Sequence, residues 1–154
     1  MKPVTVSITV PQDRAHVYDY LDVMANHEPF TDHLLRDWTL SGPDRGVGSK
    51  AQVHVKALGV TDTVEIEVVD AKAPERIVER NVAAKAGRTA TGTYRLAELP
   101  GGGTRIEFEY AWIVAPLADR LTAPLSRAFI RRVNEKAMRR LADQLPAAVA
   151  APAA

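Results

Sequence analysis

Tyr94, Tyr110 and Asp62 are the side chains in this sequence placed to do acid–base chemistry. Tyr94 and Tyr110 sit among apolar, alternating residues and would each present a hydroxyl to an interior. Asp62 shares the parity of Val64 and Ile66, so strict alternation points it inward, where burial would raise its pKa. Its place beside the Leu58-Gly59 turn argues instead for exposure at a hairpin end. His27, Glu28, Asp32 and His33 are the densest group of metal-ligand types, yet their spacing is wrong for a helical site. Thr31 stands where a second histidine would be needed, His33 lies six residues from His27, and Pro29 interrupts the segment. The segment reads as a solvated loop, with no metal and no cofactor expected. Neither Ser49 nor Ser126 lies in a nucleophile-elbow pattern. The run Pro100-Gly101-Gly102-Gly103 precedes a strand rather than a helix, so it reads as a hairpin loop and not as a phosphate cradle.

The elements that must position these groups are legible from periodicity. Val4, Val6, Ile8 and Val10 alternate with Thr5, Ser7 and Thr9, a strand with one dry face that ends at Pro11. A short helix follows, with Asp13 in its first turn and Val17, Tyr18 and Leu21 at helical spacing. A second short helix is expected within Met24 to Leu35, broken at Pro29. Trp38 and Leu40 mark a second strand. The dense turn Ser41-Gly42-Pro43-Asp44-Arg45-Gly46 then opens a hairpin ladder of Ala51, Val53, Val55 and Ala57 followed by Val64, Ile66 and Val68. The next strand, Glu75 to Ala83, is ambiguous: either Val78, Arg80 and Val82 face inward, or Ile77, Glu79, Asn81 and Ala83 do. Strands over Thr89 to Leu99 and around Ile106, Phe108, Tyr110 and Trp112 complete the set.

A long amphipathic helix is expected from Pro116 to Leu145, kinked or restarted near Pro124. Phe129, Ile130, Val133, Ala137, Met138, Leu141 and Leu145 share one arc, into which Ser126 and Asn134 also fall. The fold class this predicts is α+β: a strongly curved seven-stranded antiparallel sheet wrapped around a long C-terminal helix, with two short helices after the first strand. One domain over residues 1–145 and a disordered Ala/Pro tail over residues 146–154 are expected.

Such an arrangement should be hollow. Seven strands spaced by about 4.8 Å make a sheet roughly 30 Å wide, while a helix with its side chains is about 10 to 12 Å across. Curling closes part of the difference, with Gly48 and Gly92 as expected bending points, and the small inner residues Ala51, Ala57, Ala90 and Gly92 leave room. The residues expected to line the space are Trp38, Val53, Val55, Tyr94, Phe108, Tyr110, Trp112, Ser126, Phe129, Ile130, Val133 and Asn134.

Composition names no partner. The 20 Lys and Arg residues nearly balance the 19 Asp and Glu residues, which gives no field to single out nucleic acid. The basic residues Arg127, Arg131, Arg132, Lys136, Arg139 and Arg140 spread over a wide arc without exposed aromatics, as on a solvated helix face. The chain has no cysteine, and Met1-Lys2-Pro3-Val4 leads into no apolar stretch of signal or membrane-spanning length. A cytoplasmic location and no integral membrane segment are expected.

Three local features match a known family. They are the opening strand with Pro11 and Ala15-His16-Val17-Tyr18-Asp19-Tyr20-Leu21; the Gly42-Pro43 turn leading to Gly46-Val47-Gly48-Ser49; and Ala73-Pro74-Glu75-Arg76-Ile77-Val78 followed by Gly92-Thr93-Tyr94-Arg95-Leu96. Over Val4 to Leu145 the chain resembles the START-like (SRPBCC) superfamily, the helix-grip or birch-pollen-allergen-like fold, and especially its bacterial polyketide cyclase/dehydrase and lipid-transport proteins. The resemblance implies a hydrophobic small molecule, such as a lipid, isoprenoid or polyketide-like aromatic, held between sheet and C-terminal helix. It also admits a polyketide cyclase, aromatase or dehydratase using the same cavity, with Tyr94, Tyr110 or Asp62 as its polar group. A third reading is a protein-interaction module resembling chaperone activators or quinone chaperones, acting through a sheet edge or the basic helix. No residue matches a catalytic motif that could be carried over, and one fold hosts many functions.

Overall fold

Alternation resolves into seven strands in the computed structural model, which describes residues 1–147. They are β1 (Val4–Val10), β2 (Leu35–Ser41), β3 (Lys50–Ala57), β4 (Val60–Lys72), β5 (Arg76–Ala83), β6 (Arg88–Glu98) and β7 (Thr104–Val114). Every neighbour pairs antiparallel, in the spatial order β1-β7-β6-β5-β4-β3-β2, so the first strand closes against the last. The registers Val6↔Phe108↔Tyr94↔Ile77 and Val53↔Val64↔Ala83 carry the apolar positions across one concave face. From residue 148 on, the tail expected over 146–154 lies outside the described residues.

Three irregularities of pairing interrupt the sheet. Register shifts between Arg36 and Thr39, between Val68 and Asp70, and between Thr89 and Ala90 each put extra backbone on one side of a ladder, which kinks and twists it. Gly92 instead sits in regular pairing, opposite Glu79 and Tyr110. A Cβ there would come within 2.9 Å of the Phe108 ring, so the missing side chain seats an aromatic. Ala51 and Ala90 are likewise covered over completely.

The helices follow from their caps and prolines. Asp13 is the N-cap of α1 (Arg14–Asp22), not part of its first turn, and accepts from the His16 amide at 3.0 Å. A 3-10 turn (Met24–His27) runs directly into α2 (Glu28–Thr31), where Pro29 occupies the first turn and starts the helix instead of breaking it. At the C-terminus the expected restart occurs at Thr122, between α3 (Leu117–Leu121) and α4 (Ala123–Gln144). Pro124 lies in the first turn of α4, where no amide donor is needed.

The core sits at one end of α4. Ala137, Met138 and Leu141 are buried against Leu21, Phe30, Ile77 and Ile106, whereas Phe129, Ile130 and Val133, one to three turns earlier, stay only half-buried. The segment from Met24 to Leu35 is fastened over the sheet's open side. Phe30 is fully buried, the His33 ring is 3.1 Å from the Val133 carbonyl, and Arg140 binds both the Pro29 carbonyl and Asp32. Along the β1 edge, Arg127 and Arg131 donate to the carbonyls of Lys2, Pro3 and Thr5 and so occupy acceptors that another strand could take.

The turn that delivers the chain to β3 depends on a left-handed glycine. Gly42 has φ +75°, and a Cβ there would lie 2.4 Å from the Gly48 carbonyl oxygen, whereas Gly46, at φ +78°, has open space around it. Gly46→Ala should cost about 1–2 kcal/mol from backbone strain alone. Gly42→Ala should cost more, because the clash adds to the same strain. Urea unfolding of the two variants checks this, and equal midpoints would refute the close contact.

Candidate functional site

The half-buried residues of α4 face a partly open cavity of about 160 Å³ between the concave sheet and the helix. Its walls are mostly apolar: Phe30, Leu34, Leu35, Trp38, Val55, Val64, Ile66, Ala83, Phe108, Phe129, Ile130 and Val133. Besides Thr31 of α2, the polar groups come from five further elements. β5 supplies Glu79 and Asn81, the 3-10 turn His27, β6 Arg88 and Tyr94, β7 Tyr110, and α4 Asn134.

The inward parity of β5 is therefore the polar one. Ile77, Glu79 and Ala83 are buried and Arg80 is exposed, so Glu79 and Asn81 are carried inside by the apolar residues on either side of them. A buried carboxylate is costly unless compensated, and His27 compensates this one. Its Nδ1 lies 3.2 Å from Glu79 Oε1, within ion-pair range although off the axis of a good hydrogen bond. Its Nε2 lies 2.6 Å from the Leu21 carbonyl. A carbonyl can only accept, so Nε2 carries a hydrogen, and a neutral ring would then turn a bare lone pair toward the carboxylate. A proton must lie between the two residues. Burial by itself pulls the His27 pKa down, but the charge and hydrogen bonding of Glu79, the Leu21 carbonyl and the more distant Asp22 more than offset it, and the imidazole titrates above its usual value. The ring is also packed edge-on to Tyr94, with centroids 5.8 Å apart, and against Phe30 at 5.3 Å.

A second pair stands at the rim. Arg88 grips Asp119 of α3 through Nε and Nη2, both at 2.6 Å, and the Trp112 indole donates to the same carboxylate at 3.1 Å. Both cavity tyrosines remain protonated. Burial and the Glu79 charge push Tyr94 well above the ordinary phenol value, and burial raises Tyr110 to about 12 against the opposing pull of Arg88. They can donate hydrogen bonds but cannot serve as bases near neutrality.

Of the residues expected at the wall, Trp38, Val55, Tyr94, Phe108, Tyr110, Phe129, Ile130, Val133 and Asn134 are there. Val53 is fully buried in the core away from the cavity, Trp112 turns its indole to Asp119, and Ser126 meets Thr122 Oγ1 at 3.1 Å. Asp62 does have the inward parity, opposite Val55, but at the sheet's rim. There its carboxylate accepts from the amides of Lys85 and Ala86 and holds the β5–β6 turn, which leaves it no acid–base role in the cavity. The His27–His33 segment is not a solvated loop: His27 is buried against Glu79, His33 reaches α4, and of the exposed residues Glu28 and Asp32 the latter binds Arg140. Among the described residues no three metal-ligand side chains converge.

Among the wall residues outside the expected set are the charged or amide-bearing His27, Glu79, Asn81 and Arg88, of which Glu79 and Asn81 belong to one of the two alternatives for their strand. Ile77 and Ala83 shared their strand's parity with Glu79 and Asn81 and were the available signal. It was masked by the cost of burying a carboxylate whose partner lies 52 residues away, from His27 to Glu79.

The sign of the pH effect follows from the raised His27 value. The pair's contribution is fully present below the unfolded imidazole pKa of about 6.5 and is lost as pH rises through the higher folded value. Wild-type stability should therefore fall as pH rises above about 6.5 and through the higher folded value, and Glu79→Gln, although less stable throughout, should flatten this decline. Urea midpoints across that range measure it, and parallel curves for the two proteins would contradict the pairing.

Comparison with known proteins agrees with this architecture. The Zhui aromatase/cyclase from Streptomyces sp. R1128 superposes with a TM-score of 0.74 at 13% identity, over 94% of this chain and 93% of that one. TTHA0849 from Thermus thermophilus gives 0.71 at 15% identity, over 94% and 97%. DynU16, from the dynemicin biosynthetic locus, gives 0.60 at 19% identity, over 94% of this chain and 47% of that one. At these identities the likeness is one of fold. No curated protein matches the sequence. Residues 1–149 match the family described as polyketide cyclase/dehydrase and lipid transport, and the chain belongs to that family.

Proposed function

We propose that this protein binds a hydrophobic small molecule between the concave sheet and the N-terminal half of α4. The observation that supports the reading is the unfilled volume: apolar side chains of α4 and the sheet face about 160 Å³ that no side chain occupies. An engineered protein cavity of about 150 Å³ with apolar walls stays dry and takes up benzene, so a void of this size accommodates at least one aromatic ring. Covering those walls would contribute roughly 25 cal/mol for each Å² of apolar surface removed from water. The aromatic side chains Trp38, Phe108 and Phe129 around it suit a flat guest.

A second reading, a cyclase or dehydratase working in the same cavity, is favoured by one observation. The wall holds a carboxylate and an imidazole with a proton between them, a pair able to exchange that proton with a bound molecule, while Tyr94 and Tyr110 donate hydrogen bonds. Turnover of a candidate substrate that survived Glu79→Gln would eliminate this reading.

The binding reading predicts that neutral alkylbenzenes raise the melting temperature. A ligand at about 100 times its Kd adds about 2.7 kcal/mol, a shift of roughly 5 to 11 °C for a chain of this size. Ile130→Trp, which places an indole in the void, should retain the far-ultraviolet circular dichroism of the wild type and lose the shift. Ligand-induced stabilisation undiminished in Ile130→Trp would place the binding elsewhere.

A further inference from the structure

We propose that the cavity is built for an uncharged ligand ending in a hydroxyl, which donates to Glu79, and that it rejects carboxylates. The proposal rests on the binding reading and specifies its ligand class. Charge balance is the first ground. The acidic and basic side chains on the wall are His27, Glu79 and Arg88, and each already has a partner of the opposite kind: His27 and Glu79 face one another, and Arg88 is held through two nitrogens by Asp119. A carboxylate ligand would have to take a cation from one of these pairs and strand the buried partner, and an ammonium would do the reverse. A neutral molecule disturbs neither.

The second ground is what the wall leaves unpaired. Glu79 is 5% exposed and lines the cavity, and its one polar neighbour among the described residues, His27 Nδ1 at 3.2 Å from Oε1, stands outside good hydrogen-bond geometry, so the carboxylate keeps acceptor capacity to spare. Asn81 Oδ1, two residues along the same inward face of β5, is unpartnered, as is Asn134 Nδ2 on the helix opposite. A side-chain amide can turn either its oxygen or its nitrogen to a ligand, so Asn81 and Asn134 accommodate several chemistries. A carboxylate cannot: it only accepts. Whatever reaches the Glu79 carboxylate from the cavity must bring a donor, and charge balance requires that donor to be neutral. With Trp38, Phe108 and Phe129 forming the walls, a phenol satisfies both conditions: an aromatic body with one hydroxyl at the Glu79 end.

A series sharing one apolar body tests this by isothermal titration at neutral pH: propylbenzene, 4-propylphenol, 4-propylanisole and 4-propylbenzoic acid. A hydrogen bond to a charged acceptor predicts that the phenol binds about tenfold or more tighter than its methyl ether and the hydrocarbon. The benzoate should give no measurable heat. Glu79→Gln should erase the preference for the phenol over the ether, whereas Asn134→Leu should keep it. Should Glu79→Gln fail to fold, ring nitrogen NMR of His27 in the wild type carries the assignment: the Nδ1 resonance should move with the phenol and not with the ether. Hydrocarbon, ether and phenol binding equally would overturn the hydroxyl inference and leave the cavity reading standing. Failure of all four to bind would overturn both, and a tightest-binding benzoate would refute the charge-balance argument.

Discussion

One helix cannot cover the concave face of a seven-stranded sheet. The sheet is several helix diameters wide, and curling around α4 brings only part of it into contact. Here the deficit is concentrated at one end. The C-terminal half of α4 buries Ala137, Met138 and Leu141 in a continuous core with α1 and α2, with Ala137 and Met138 closing the end of the cavity, while the half that begins at Pro124 leaves Phe129, Ile130 and Val133 only half-buried and facing space. Solid packing and open volume thus follow one another along one helix. The solid end can hold the fold while the hollow end stays uncovered, although an unfilled apolar wall forfeits contacts that a filled core would have.

The hollow end is not purely apolar, and its polar content is arranged in closed pairs. His27 reaches from the 3-10 turn to Glu79 on β5, and Arg88 on β6 reaches to Asp119 on α3. Each pair joins the sheet to a different helical segment bordering the cavity, so each both positions a wall and cancels a charge. A buried ion pair adds little net stability over an apolar replacement, but loss of one partner alone is expensive. The His27–Glu79 pair therefore makes a poor case for stability by itself and a better one for a site whose polarity is put to use.

Much of this was legible in the chain. Period-two alternation located the strands, and the apolar arc over Phe129 to Leu145 located the helix. The mismatch of their widths implied a void, and large residues on the inner parity of β6, β7 and α4 mostly do line it. What could not be read was set by contacts distant in sequence. Of the small residues taken to leave room, Gly92 is packed over by Phe108, and Ala51 and Ala90 are covered. Asp62 has the expected parity, yet its surroundings come from the neighbouring hairpin at Lys85 and Ala86. His27 looked like a loop residue beside Glu28 and Asp32 because its partner belongs to another element. A lone Glu79 looked too costly to bury for the same reason.

The most direct measurement of the central claim is a crystal structure grown with 4-propylphenol. The account predicts ring density between Phe108 and Ile130 with the hydroxyl oxygen within hydrogen-bond reach of Glu79, and the surrounding backbone little changed. A cavity closed by its own side chains, with Trp38 and Phe129 packed into the space and no guest present at saturating concentration, would contradict it.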